Sequence, residues 1–156
     1  MNGLVQLTKA KVYREPGHGK VKKSVIEGFS TPIRMGVHGG VKEFYRIQSD
    51  EDLPTTLDYV ITALGSCLTG TFGSALEARQ IEFAADDFYA DVEGYIENVE
   101  NKPLITRVHV KYHIKVPKGR KAEVERIVSN HEKVCAVSQS LKRGIMVECE
   151  ADIAEL

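Results

Sequence analysis

A charge-free run from Tyr59 to Leu76 contains a long helical pattern of apolar positions. Thr55 stands just before the run, and Asp58 follows it by three residues, which is the spacing of a capping box at a helix N-terminus. The pattern predicts a central helix over residues 55–79, buried on most sides. Its apolar positions are Leu57, Val60, Ile61, Leu64, Cys67, Leu68, Phe72, Ala75 and Leu76.

Much of the remaining chain alternates with a period of two. The alternation is clearest from Val108 to Val116 and predicts half-buried antiparallel strands over residues 87–117, with a turn at "ENVENKP". Residues 1–50 also predict strands, with a turn at 16–19. Those strands cover 5–13, 20–26 and 33–37, and 44–47 is predicted to extend their sheet. Alternation returns at the end of the chain and predicts a final strand over residues 145–154.

Two further helices complete the pattern. Val124, Ile127 and Val128 lie on one face of an amphipathic helix over residues 118–134, and "AVSQSLKRG" predicts a short helix over residues 136–143, closed by Gly144. Strands, helix, strands, helices and a final strand in this order predict one α+β domain over residues 1–156 rather than a parallel βαβ fold.

The composition is that of a soluble globular protein, with 42% hydrophobic and 28% charged residues. A net charge of -1 gives no reason to expect nucleic acid or an anionic membrane surface as a partner. The run from Tyr59 to Leu76 has the length of a membrane span, but its glycines, serines and threonines favour a helix inside a soluble protein. The first residues lack the pattern of a secretory signal. Three cysteines without a disulfide pattern then favour a reducing, cytoplasmic location.

The cysteines are the main candidates for chemistry. Cys67 lies far from the N-terminus of its own helix, so a reactive thiolate there would need an Arg, Lys or His brought in by the fold. Simple packing is the commoner role of a cysteine in a helix, and it applies equally to Cys135 at the end of the second helix. Cys149 shares an apolar strand face and is interpreted as structural. Metal binding has little support, because His109 and His113 lie about 13 Å apart on a strand.

The sequence around two of the cysteines resembles the OsmC/Ohr family of osmotically inducible and organic-hydroperoxide-resistance proteins. The matching segments are "ALGSCLTGTFGSALEARQI" and, further along, "CAVSQSLKRGIMVECEADI". The resemblance implies an OsmC-like fold, with antiparallel sheets packed around a central buried helix in an intertwined homodimer. It also implies a thiol-dependent peroxidase that reduces organic hydroperoxides to alcohols in oxidative-stress defence. Such an enzyme uses no metal or organic cofactor and is regenerated by an external dithiol.

Carried over by position, the resemblance makes Cys67 the peroxidatic thiol and Cys135 the resolving thiol. Family members also use an arginine from the N-terminal strands, for which Arg14 is the first candidate and Arg34 the second, and a carboxylate that holds it, which maps to Asp58. Nine residues at about 100° each place Asp58 on the helix face opposite Cys67, so it would act through an arginine or serve as a cap only. The lead-in "EDLPTTLDYVIT" departs from the family pattern and indicates a divergent member.

Two other functions remain open at this level. The chain could form a non-catalytic OsmC-like dimer that binds a small apolar ligand at its interface, with both thiols merely packed. It could also exchange thiols and disulfides without reacting with peroxide. A pKa of Cys67 well below the ordinary value of about 8.5 would count against simple packing.

Overall fold

The computed structural model describes residues 3–17 and 20–156. Helices and strands follow in the order β1 Ala10–Arg14, β2 Lys22–Ile26, β3 Ile33–Met35, α1 Gly39–Phe44, α2 Thr56–Glu77, β4 Phe88–Val99, β5 Lys102–Ile114, α3 Lys121–His131 and α4 Ala136–Arg143. Short 3-10 turns occupy residues 85–87 and 132–134. The turn predicted at 16–19 extends into positions 18 and 19, which lie outside the described residues.

The chain divides into two compact units. One contains the described residues up to 61 together with residues 93–109, and the other contains residues 62–92 and 110–156. Helix α2 and strands β4 and β5 each contribute to both units. The combination of helices and antiparallel sheets confirms the predicted α+β class.

The first unit contains an antiparallel sheet in the order β1–β2–β3. Arg14 is paired with Lys22, and Lys22 with Met35. Three of the predicted strands are therefore present with shorter bounds, since the strand predicted over 5–13 begins only at residue 10, whereas no strand forms at residues 44–47. There the prediction is wrong, because α1 ends at Phe44 and Arg46 adopts a left-handed φ of 52°. The error has a physical origin, since short apolar runs fit helical and extended periods equally well.

Helix α2 begins with the predicted capping box. The Thr55 N–H donates to Asp58 Oδ2 over 2.6 Å, and the Asp58 N–H donates to Thr55 Oγ1 over 3.0 Å. The predicted helix 55–79 is thus confirmed, with ends that differ by one or two residues. In length and mean hydropathy, which reaches 1.3 in its most apolar window, α2 also resembles a membrane span, as core helices of soluble proteins often do.

The core of the second unit forms where α2 and α3 pack with aromatic strand residues. Phe72, Leu76 and Ile81 are almost fully buried, and Val124 and Ile127 of α3 join the same cluster. Phe72 lies in an edge-to-face contact with the Phe88 ring, at 5.2 Å between centroids. One face of α2 therefore packs in this core.

Strands β4 and β5 confirm the strands predicted over residues 87–117. They form a two-stranded sheet joined by a two-residue turn at Glu100 and Asn101. Both turn residues have positive φ, 51° and 61°, as a type I′ hairpin turn requires. Strand pairing is antiparallel because so short a connection permits nothing else.

The C-terminal helices are close to their predictions. Helix α4 spans residues 136–143 as predicted, and Gly144 follows it with a positive φ of 80°. Helix α3 is shorter than the predicted 118–134. It begins at Lys121 after a turn in which Gly119 has a φ of 87°, and its last predicted residues form a 3-10 turn.

The predicted final strand over 145–154 is wrong for the single chain. These residues have no regular secondary structure, and Ile145, Met146 and Ile153 are 67%, 84% and 84% exposed. Alternation shows which residues would share a face, but a strand also needs a neighbouring edge for its backbone hydrogen bonds. Cys149, interpreted above as structural, is likewise exposed.

Candidate functional site

The fold brings Cys67 and Cys135 together within the second unit. Cys67 lies in the middle of α2, and Cys135 is the N-cap residue of α4. The Cys135 thiol is within hydrogen-bonding reach of the Cys67 sulfur. Cys67 is partly exposed, whereas Cys135 has no exposed surface. One thiol of the pair is therefore open to a small reactant and the other is enclosed behind it.

Hydrogen-bond donors lower the pKa of the Cys67 thiol. The largest contribution comes from the backbone N–H of Val137, and it outweighs the opposing effect of partial burial. The Cys135 thiol, the Thr71 hydroxyl and the Ala136 N–H add to it. Ala136 and Val137 are the first two residues of α4, where N–H groups have no partner within the helix and the helix dipole favours negative charge.

Burial raises the pKa of Cys135, and the negative charge of a Cys67 thiolate raises it further. The N–H groups of Ser138 and Val137 oppose these effects only in part. The two thiols thus have pKa values shifted in opposite directions by their environments. The opposite shifts favour loss of the first proton of the pair from Cys67 rather than from Cys135.

Thr71 lies one helical turn after Cys67. Its hydroxyl is 2.8 Å from the Cys67 carbonyl oxygen and also within reach of the Cys67 sulfur. The single hydroxyl proton therefore has two acceptors, and a negative charge on sulfur draws it away from the carbonyl.

A buried phenol–imidazole pair lies in the same unit. The His131 Nδ1–H donates to the Val128 carbonyl oxygen over 2.8 Å, which leaves Nε2 to accept the Tyr112 hydroxyl over 2.7 Å. Burial raises the pKa of Tyr112 to about 12, with a smaller contribution from the charge of Cys135. Sequence reasoning missed this pair, because no local motif connects a strand tyrosine with a helix-end histidine.

The other predicted site residues lie in the first unit. Arg34 forms bidentate ion pairs with Glu15, at 3.1 and 3.2 Å, and with Glu51, at 2.7 and 3.1 Å. These ion pairs lower the pKa of both carboxyls. Arg14 donates to the Glu15 backbone carbonyl.

Asp58 forms the predicted cap with Thr55, and its other partner among the described residues is His38 rather than an arginine. Partial burial alone would raise its pKa, but hydrogen bonds from the Thr55 N–H, His38 and the Thr55 hydroxyl outweigh burial and lower it. His38 Nε2 lies 2.7 Å from Asp58 Oδ2. Asp58 therefore acts as a helix cap that also holds a histidine, while Arg34 is held by two other carboxylates.

A cavity of about 350 Å³ lies beside His38 and Asp58 in the first unit. Its apolar lining includes Phe44, Ile96 and Pro103. Within residues 3–17 and 20–156, no three His, Cys, Asp or Glu side chains cluster closely enough to hold a metal ion.

Comparison with known proteins identifies the family. The model of the family described as "OsmC-like protein" matches residues 49–150. Among solved structures, an OsmC-like protein from Mycoplasma pneumoniae has a TM-score of 0.67 at 11% identity, with 89% of each chain covered. An organic hydroperoxide resistance protein from Legionella pneumophila has a TM-score of 0.58 at 13% identity, covering 88% of this chain and 90% of that one.

The organic hydroperoxide resistance protein OhrB of Bacillus subtilis has a TM-score of 0.55 at 12% identity, covering 87% of this chain and 91% of that one. Identities this low show a common fold and do not carry the activity across. No protein of curated function matches the chain. Because the family model covers well over half of its residues, the chain belongs to the OsmC-like protein family, as a divergent member of the OsmC/Ohr group.

Proposed function

We propose that this protein is a thiol-dependent peroxidase that reduces organic hydroperoxides to alcohols in oxidative-stress defence. Cys67 is the peroxidatic thiol and Cys135 the resolving thiol. The observation that carries the proposal is the thiol pair at the start of α4, in which Cys67 is stabilised as a thiolate and Cys135 as a thiol. A stress-related redox role also agrees with the family.

In the first step the Cys67 thiolate attacks the terminal oxygen of the hydroperoxide. A sulfur–oxygen bond forms as the oxygen–oxygen bond breaks, and the electron pair leaves with the alkoxide, which takes a proton from water to give the alcohol. Sulfur is oxidised to a sulfenic acid. The N–H groups of Ala136 and Val137 stabilise the thiolate before the attack and remain beside the oxidised sulfur after it.

In the second step Cys135 attacks the Cys67 sulfenic acid. A disulfide forms, and the hydroxyl group leaves with the Cys135 proton as water. The raised pKa of Cys135 suits this order, because it keeps the proton on Cys135 until the leaving group can take it. An external dithiol then reduces the disulfide and becomes oxidised itself.

An arginine completes the proposed site, in a homodimer with active sites at the subunit interface. A guanidinium near the thiolate would stabilise the charge and donate to the peroxide oxygens. Arg14 is the first candidate, because its guanidinium donates to the Glu15 backbone carbonyl and, among the described residues, pairs with no carboxylate. Arg34 is the second, but its two carboxylate pairs would have to open first.

The test is consumption of cumene hydroperoxide with dithiothreitol as the reductant. We expect turnover by the wild-type protein and by Cys149→Ser, which removes the exposed cysteine and serves as the matched control. Cys67→Ser should abolish turnover, and Cys135→Ser should leave a sulfenic acid that a dimedone-type probe traps. Equal activity of Cys67→Ser and wild type would refute the proposal.

A second candidate is non-catalytic binding of a small apolar ligand. The cavity of about 350 Å³ beside Phe44, Ile96 and Pro103 favours it. In that case native mass spectrometry would detect a ligand that co-purifies, and Cys67 would alkylate slowly with an ordinary pKa. A lowered measured pKa of Cys67 would favour the peroxidase instead.

A further inference from the structure

Helix α4 lacks the usual oxygen cap at its N-terminus. The N-cap residue is Cys135, and its sulfur is a weaker hydrogen-bond acceptor than the side-chain oxygen of Ser, Thr, Asp or Asn at this position. The position of the first turn therefore depends on other contacts. The position of this turn matters because its N–H groups favour a negative charge on either sulfur.

Those contacts converge on Glu132, three residues before the N-cap. Its Oε1 accepts a hydrogen bond from the Ser138 hydroxyl in the first turn of α4 and lies 2.7 Å from the Lys142 Nζ in the last turn. The Gln139 side-chain amide lies 3.2 Å from the Glu132 carbonyl oxygen and 3.4 Å from Oε1. Ser138 is buried and the Glu132 side chain is partly exposed, so their contact is shielded from water on the Ser138 side.

The backbone reinforces the same arrangement. The Cys135 N–H donates to the Glu132 carbonyl over 3.1 Å, and the Gln139 N–H donates to the Cys135 carbonyl over 2.9 Å. Side chain and main chain of Glu132 thus both hold residues of α4. Hydrogen bonds therefore link the two ends of the segment from Glu132 to Gln139, and Cys135 lies between them.

We propose that Glu132 is a positioning residue for the thiol pair: its carboxylate fixes the first turn of α4 where the N–H groups of Ala136 and Val137 stabilise the Cys67 thiolate. This inference rests on the proposed function only in treating the Cys67 thiolate as the reactive group. Glu132 acts through α4, and no reaction step is assigned to it.

The direction in which the pKa of Cys67 changes separates a positioning role of Glu132 from a simple effect of its charge. Glu132 is negative, and its lowered pKa, caused by Lys142 and then by Ser138, keeps it ionised. A negative charge near a thiol disfavours the thiolate, so removing the charge alone would lower the pKa of Cys67. Losing the fixed position of the first turn of α4 would instead raise the pKa of Cys67, because the thiolate would lose its N–H donors. The charged or titratable groups that act on the Glu132 carboxylate are Lys142 and His131, whereas the Lys133 ammonium donates to the Asn130 side chain.

The experiment measures the pH dependence of iodoacetamide alkylation at Cys67, resolved by peptide mass spectrometry. We expect Glu132→Ala to raise the midpoint by about one pH unit, the size of one hydrogen bond lost to the thiolate, and to slow alkylation at neutral pH several-fold. Glu132→Gln removes the charge but keeps an acceptor for Ser138, so its midpoint should not rise and should lie at or slightly below that of wild type. Glu125→Gln, which removes an exposed charge from α3, is the matched control and should change nothing.

Ser138→Ala removes the buried contact without changing charge. It should also raise the midpoint, and it decides the question if Glu132→Ala does not fold. A midpoint that is unchanged or lower in a folded Glu132→Ala or Ser138→Ala protein would overturn the inference. The measurement needs no peroxide, so a wild-type protein without peroxidase activity would refute the proposed function and leave this result standing.

Discussion

Cys67 owes its proposed reactivity to residues distant from it in sequence. The middle of a 22-residue helix offers no free N–H groups, because each is bonded to the preceding turn. The start of α4 supplies free N–H groups from Ala136 and Val137, and the Thr71 hydroxyl adds a donor from within α2. The sequence predicted that a Cys67 thiolate would need an Arg, Lys or His side chain, whereas in this unit backbone N–H groups lower the pKa of the thiol.

The Tyr112–His131 pair gives a prediction at this scale. Tyr112→Phe leaves the His131 Nε2 buried without a donor, which should lower the free energy of unfolding by about 1–3 kcal/mol in urea titrations. Tyr89→Phe is the control. Tyr89 is 53% exposed and stacks on His113, so removing its hydroxyl should change stability by no more than about 0.5 kcal/mol. Equal losses in the two variants would contradict the assigned hydrogen bond.

At the scale of elements, α2 was the most predictable part of the chain. Its length, apolar period and capping box are all local properties, so the sequence contains them. The contact between Cys67 and Cys135 is not local, because it depends on how α2 packs against α4. The family resemblance identified both thiols, but the donors at Ala136 and Val137 required the packed structure.

The capping box predicts a pH-dependent loss of stability. The folded pKa of Asp58 is lowered, so its contribution is fully present above the unfolded value of about 3.9 and is lost as pH falls through the lower folded value. Asp58→Ala should cost about 1 kcal/mol at neutral pH and less in acid. Asp58→Asn, which keeps an acceptor, should cost less. Urea titrations at several pH values would show this, and a pH-independent loss would refute it.

The close packing of α2 on β4 predicts how a substitution at Gly65 changes stability. A Cβ at Gly65 would lie 2.5 Å from the Val92 Cγ2, and a β-branched side chain cannot easily yield. Gly65→Ala should therefore destabilise the fold by about 1–3 kcal/mol. Gly70→Ala is the matched change in the same helix at a position with open space, where alanine should stabilise by up to about 1 kcal/mol. Thermal unfolding of the two variants should move in opposite directions.

At the scale of the whole molecule, the C-terminal segment is where we expect association between copies. Residues 145–154 have the alternation of a strand but pair with no strand among residues 3–17 and 20–156, and Met146 and Val147 are 84% and 79% exposed. The alternation predicts which residues of this segment would share a face, but it holds no information on the sheet edge with which they would pair. A sheet edge of another copy would satisfy the same backbone groups.

Sedimentation velocity tests this directly. We expect a species of twice the 17.3 kDa chain mass at micromolar concentration. Deleting residues 145–156 should shift the protein towards monomer, because the strand that the proposed dimer would pair would be lost. A monodisperse wild-type monomer would contradict the proposed homodimer. The variant Val5→Ser, at an exposed position remote in sequence from this segment, provides a control.

The central claim is that Cys67 is oxidised by an organic hydroperoxide and resolved by Cys135. Intact-protein and peptide mass spectrometry after one equivalent of cumene hydroperoxide tests it most directly. The mechanism predicts loss of two hydrogens and a Cys67–Cys135 disulfide in wild type, and gain of one oxygen at Cys67 in Cys135→Ser. Unmodified Cys67 in both proteins, with oxidation confined to the exposed Cys149, would contradict it.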